Sequence, residues 1–105
     1  MVGLIAVTGA AGKTGRAVTA ALSRRGVSVR ALVHRPEQAA AGVPGAAEAV
    51  AVDLTDTEAV GDALQGTDAV YLIAPNMFPD EVALANSVMG ACEQSGLTRL
   101  VYHSV

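Results

Sequence analysis

The sequence predicts an α/β fold: a doubly wound parallel sheet of strand order 3-2-1-4-5, stopping after strand five, in a single domain over residues 1–105. Three observations predict it. Strand-like and helix-like segments alternate from one end to the other with no internal repeat. The strand segments are short apolar runs, as expected of parallel strands buried on both faces. The composition, 51% apolar but 3% aromatic, with 11 glycines, suits close packing of helices on a sheet better than a β-sandwich. A chain of 105 residues holds one domain and leaves no room for a second.

The elements follow in order. Leu4 to Val7 is an apolar run ending in Thr8-Gly9, the first strand. From Lys13 to Arg25 the apolar residues Ala17, Val18, Ala21 and Leu22 recur at helical spacing, and Gly26 supplies the stop. Val27 to Val33, interrupted by Arg30, is the second strand, broken by His34-Arg35-Pro36 so that Arg35 stands just beyond its end. A short helical stretch from Gln38 to Ala41 ends at Gly42 and Pro44. Ala49 to Val52 is the third strand, with Asp53 at its exit. Thr55 or Asp56 caps a helix reaching about Leu64, with Ala59, Val60, Ala63 and Leu64 on one face and Gly66 at the stop. Ala69 to Ala74 is the fourth strand, ended by Pro75-Asn76. Asp80 to Ser95 is the longest helix, its stripe Val82, Ala85, Val88, Met89 and Cys92 facing the core. Leu100 to Tyr102 is the fifth strand. Right-handed crossovers place a cleft at the ends of strands one and four, where the winding reverses.

Charge and cysteine usage remove several function classes. A net charge of −3 opposes a nucleic-acid surface. The single cysteine cannot form an intramolecular disulfide, and in its apolar helix it reads as a small core residue in a reducing compartment. The N-terminal run MVGLIAVTG is too short and lacks the basic start of a signal peptide. No apolar run approaches the roughly 18 residues of a membrane helix. A cytoplasmic protein is the expectation. His34 and His103 have no ligand partners at metal spacing, so no metal is expected.

Gly9, Gly12 and Gly15 in VTGAAGKTG are spaced G-x-x-G-x-x-G, between a predicted strand and a predicted helix. Glycines at that junction let the chain turn sharply, let backbone approach a pyrophosphate, and let the new helix pack on the sheet. The N–H groups around Ala11, Gly12, Lys13 and Thr14, with the helix dipole, then favour a diphosphate. Gly12-Lys13-Thr14 also copies the end of a P-loop, but the first glycine of that motif falls on Val7 inside the strand, which excludes a nucleoside triphosphatase. The pattern predicts a Rossmann-type dinucleotide site.

An NAD-preferring site carries an acid at the end of strand two, about twenty residues past the loop, to accept from the ribose 2′-hydroxyl. Arg35 occupies that place. Its planar fork suits a 2′-phosphate, and Lys13 and Arg16 add charge nearby, so NADP is expected, with NAD as the alternative. Asp53 either accepts a hydrogen bond from the adenine amino group, with Leu54 against the ring, or caps the segment that follows. Ile73, Ala74 and Pro75 leave strand four at the switch point and line the path of the diphosphate and nicotinamide ribose.

VTGAAGKTG, His34-Arg35, the VDL of residues 52–54 and the closing LVYHSV resemble the NmrA-like group of atypical short-chain dehydrogenases/reductases. The resemblance covers the whole chain but only the N-terminal part of a typical member. It implies an NAD(P)-binding Rossmann fold, the glycine motif on Gly9, Gly12 and Gly15, and the 2′-phosphate contact on Arg35. It also places Ser104 where catalytic relatives carry a serine after strand five. Members include NAD(P)H-dependent reductases of quinones and similar acceptors, and redox-sensing regulators that bind dinucleotide without turnover. The Tyr-x-x-x-Lys pair of catalytic relatives has no counterpart here, since Lys13 is the chain's only lysine. Two expectations follow: an NADPH-dependent oxidoreductase or its cofactor-binding portion, and a non-catalytic dinucleotide sensor. An unpaired fifth strand further predicts association, including homo-oligomers.

Overall fold

The strand segments carry apolar side chains on both faces, so the sheet needs helices on both sides. A computed structural model, which describes residues 3–74, 86, 88–91 and 100–104, supplies them. The order is β1 (Leu4–Thr8), α1 (Lys13–Arg24), β2 (Ser28–Val33), α2 (Pro36–Ala41), β3 (Glu48–Ala51), α3 (Thr57–Ala63), β4 (Ala69–Ala74) and β5 (Leu100–Ser104). All pairings are parallel, and the sheet order is β3-β2-β1-β4-β5, as the sequence predicts.

Two apolar clusters lie on the two faces. On one, Ala6, Leu32, Val52, Val70 and Leu72 pack with Val60, Ala63 and Leu64 of the α3 segment and with the helical residues Val88 and Ala91. On the other, Val7, Val29, Ala31, Val33 and Ile73 pack with Val18 and Leu22 of α1 and Ala39 of α2. Neighbours in β1 to β4 go to opposite clusters, the two-residue period of a strand covered on both sides.

Several element ends differ from the sequence reading, each for a local reason. Val27 stays outside β2 because its N–H closes the end of α1 on the Leu22 carbonyl, and Gly26 takes φ 78° there. α2 starts at Pro36 rather than Gln38, since proline fits the first helical position and the Gln38 side chain reaches back to the Arg35 N–H at 3.0 Å. β3 begins one residue early, at Glu48, whose carboxylate meets Arg30 across the β2–β3 pair at 2.9 Å. β5 runs on to Ser104, opposite Ala74.

The buried face of α1 is Gly15, Val18, Thr19 and Leu22, while Ala17 is exposed. Of the predicted helix Asp80 to Ser95, the described residues 86 and 88–91 are helical. Val82, Ala85 and Cys92 lie outside the described residues, as do Pro75 and Asn76. Met89, read as part of the core stripe, is 41% exposed, and Val88 and Ala91 are the buried positions. No helix among the described residues is long and apolar enough to cross a membrane.

Candidate functional site

In a parallel sheet every strand delivers its following loop to one edge, and here β1, β2 and β3 end side by side about 4.8 Å apart. The β1 loop is the most constrained of the three. Gly9 takes φ 59°, a left-handed conformation that turns the chain out of the strand. The Ala10 N–H bonds the Leu32 carbonyl at 3.3 Å and the Gly12 N–H bonds Gly9 at 3.1 Å, so the loop folds back against the end of β2. Gly12 is the N-cap of α1, and the first helical bond runs from the Arg16 N–H to the Gly12 carbonyl at 2.9 Å. The N–H groups of Lys13, Thr14 and Gly15 therefore precede the helical ladder, and the first turn carries no acid.

The three glycines differ in what replaces a side chain. A Cβ on Gly15 would lie 2.2 Å from the Gly9 carbonyl oxygen and 2.6 Å from the Ala10 Cα, so backbone already fills that space. A Cβ on Gly12 would meet only the Gly9 oxygen, at 3.4 Å, and this residue is exposed. The loop thus packs against its own helix at Gly15 and presents bare backbone at Gly12, a cradle suited to a diphosphate.

Where β1 and β4 part, Thr8 holds them. Its buried hydroxyl accepts from the Ile73 N–H at 2.7 Å and donates to the Ile73 carbonyl at 3.1 Å, standing in for a missing ladder step. Gly9 lies directly against Ile73 as well. The junction of β1 and β4 at the switch point is therefore tied by one side chain that the sequence reading did not single out. A threonine at a strand end gives no signal of such a bridge.

Arg35 leaves β2 with extended backbone (φ −114°, ψ 143°) pinned by α2, and its side chain is exposed. Among the described residues no carboxylate pairs with it. Lys13 is likewise exposed, whereas Arg16 donates from Nε to the Ala11 carbonyl at 3.0 Å and so ties the loop to α1. Arg16 thus has a loop-holding contact where the sequence suggested added charge alone.

Asp53, at the exit of β3, is exposed, and its Oδ1 accepts from the Thr55 hydroxyl at 2.6 Å and the Thr55 N–H at 2.9 Å. These two bonds, hydroxyl foremost, hold the carboxyl below its ordinary value, and the nearby His34 contributes less in the same direction. Capping of α3 falls to Asp56, whose Oδ1 accepts from the Ala59 N–H at 3.2 Å. Leu54 is half-buried against the core beside Asp53. Ala74 and Ser104 end β4 and β5 opposite each other, at the same edge.

The ends of β1 to β5 thus lie along one edge of the sheet, and the sequence match agrees with that topology. A family model described as NAD(P)H-binding matches residues 9–105. The chain belongs to this NAD(P)H-binding family. An uncharacterized protein of Mycobacterium tuberculosis is 35% identical to this NAD(P)H-binding chain over 105 residues, covering 95% of it and 12% of that protein. Sterol demethylase protein B of Methylococcus capsulatus is 32% identical over 108 residues, covering 93% of this chain and 33% of its own length. The NADPH-dependent quinone oxidoreductase of Escherichia coli, solved in complex with NADPH, matches with a TM-score of 0.78 at 26% identity, over 93% of this chain and 35% of that one. The NAD(P)H-binding chain spans well under half the length of each of these proteins.

An open groove of about 510 Å³ lies between β3 and α3 and is lined by none of the predicted cofactor-site residues. Arg30 crosses it, bonding Glu48 and, through Nη1, the carbonyls of Ala63 and Gln65 where α3 ends. The charge that interrupts the second strand therefore fastens α3 to the sheet.

Proposed function

We propose that this chain, residues 1–105, is the cofactor-binding domain of an NADPH-dependent oxidoreductase whose acceptor is a quinone or a similar compound, in the NmrA-like branch of the atypical short-chain dehydrogenases/reductases. Arg35 carries the NADPH reading: an exposed guanidinium without a carboxylate partner among the described residues, set by α2 at the end of β2, where an NAD site needs an acid. The quinone oxidoreductase neighbour, solved with NADPH, supports the acceptor class.

The sheet order matches the order of groups in the adenosine half of the cofactor. On this reading the N–H groups of Lys13 to Gly15 would hold the diphosphate, Arg35 and Lys13 the 2′-phosphate, and Leu54 and Asp53 the adenine. The same reading assigns Ala74 and Pro75 to the path of the nicotinamide ribose and Ser104, at the end of β5, to substrate binding. Bound NADPH supplies the hydride, and the residues of this chain hold and orient it.

Calorimetric titration with NADPH and NADH, on the wild-type chain and on Arg35→Glu, tests the reading. A bidentate arginine–phosphate contact contributes about 1.5–3 kcal/mol, so NADPH should bind roughly ten- to a hundredfold tighter than NADH. Arg35→Glu should remove that preference while leaving NADH binding within about threefold. Equal affinity for both nucleotides in the wild type would overturn the choice of NADPH. Tight NADPH binding with no oxidation by any quinone, in the full-length protein, would favour a regulator that senses the dinucleotide.

A further inference from the structure

We infer that Thr55 sets the purine specificity of this cleft: it holds one oxygen of Asp53 so that the other is a fixed acceptor, which admits a 6-amino purine and rejects a 6-oxo purine. The inference rests on the dinucleotide reading above, with adenine at the exit of β3.

Three observations carry it. The Val52 N–H bonds the Val33 carbonyl at 2.9 Å, so the residues that follow, Asp53 and His34, stand side by side at the carboxyl edge of the sheet, one residue from Arg35. Asp53 is exposed there, and its Oδ1 already takes two donors from Thr55. Two bonds saturate that oxygen and leave Oδ2 as the one with open lone pairs. Finally, Asp53 is spared from capping α3, because Asp56 performs that task.

A fixed, ionised oxygen discriminates by the hydrogen it cannot supply. The 6-amino group of adenine donates to it. A 6-oxo group would set oxygen against oxygen, and the nearest donor of such a base, its N1–H, lies one ring atom away. A carboxylate free to swing would follow that donor and accept both bases. The paired bonds from Thr55 deny the swing, and the hydroxyl bond at 2.6 Å is the shorter of the two.

Binding of reduced NADP and of its analogue with hypoxanthine in place of adenine, measured by calorimetry, tests this. The wild-type chain should prefer the adenine dinucleotide by about tenfold or more. Thr55→Val should shrink that ratio at least about threefold, and Thr55→Ser should restore it. Asp53→Asn, whose amide can turn an N–H toward a 6-oxo group, should shift the ratio toward the hypoxanthine form. A merely structural Thr55 would weaken both dinucleotides alike. A wild-type ratio in Thr55→Val overturns the role of Thr55 while leaving the cofactor reading intact. Equal binding of the two dinucleotides by the wild type overturns the adenine contact at Asp53 as well. Binding of neither overturns the dinucleotide reading and this inference with it.

Discussion

At Gly15 a Cβ would sit 2.2 Å from one backbone atom and 2.6 Å from another, and at Gly12 its nearest neighbour would be 3.4 Å away with φ an ordinary −79°. Equal spacing in sequence therefore conceals unequal roles. Gly15→Ala should cost about 1–3 kcal/mol in chemical denaturation, because loop and helix must move apart, and should weaken NADPH binding along with stability. Gly12→Ala should leave the denaturation midpoint nearly unchanged yet weaken NADPH binding, because the methyl group stands where the diphosphate approaches. Asp53 adds a pH dependence at the same scale. Its folded-state pKa is lowered from 3.8, chiefly by the Thr55 hydroxyl. Its contribution to stability is thus complete above the unfolded value and is lost as pH falls through the folded one. Carboxyl NMR titration should place the Asp53 midpoint below 3.8, and Thr55→Val should raise it back toward that value.

In α1 the apolar residues alone point to Ala17, Val18, Ala21 and Leu22, yet Gly15 and Thr19 are the positions buried most deeply. Neither is apolar by side chain, so a hydropathy pattern turns the helix by about one residue from its true contact face. Thr19 is fully buried, and its hydroxyl has no hydrogen-bond partner among the described residues. An unpaired buried hydroxyl is a stability cost that valine, of the same shape, removes. Thr19→Val should raise stability by about 1 kcal/mol, read as a rise of roughly 4–8 °C in thermal midpoint, with dinucleotide affinity unchanged. Arg30 teaches the converse. A charge inside an apolar strand reads as an interruption, and only the neighbouring carbonyls of Ala63 and Gln65 show that it fastens the end of α3.

Across the whole molecule, the sheet order brings together residues as far apart in sequence as Gly12, Arg35 and Asp53, and a ligand that spans all three strand ends must stabilise the folded chain. NADPH at about a hundred times its Kd should add about 2.7 kcal/mol, a rise of roughly 10 °C or more in thermal midpoint. Arg35→Glu at the same NADPH concentration should lose most of that rise while keeping the ligand-free midpoint, since the side chain is exposed. An unchanged shift in the variant would place the 2′-phosphate elsewhere.

By itself the sequence determined the alternation of strands and helices, the parallel order β3-β2-β1-β4-β5 and the glycine junction. These depend on local periodicity, turn chemistry and the handedness of crossovers, all of which are written along the chain. It also placed Arg35 and Asp53 at strand ends, because Pro36 and the residues after Val52 break the apolar runs. The Thr8 bridge to Ile73 and the packing that separates the roles of the three glycines were decided only in three dimensions. The bridge joins residues that meet only once β1 and β4 have paired, whereas the Arg16 tie to Ala11 is a contact between one loop and the helix that follows it. The D-x-T spacing of Asp53 and Thr55 was a local signal of their turn. The place of that turn beside the end of β2 depends on β2 and β3 ending side by side.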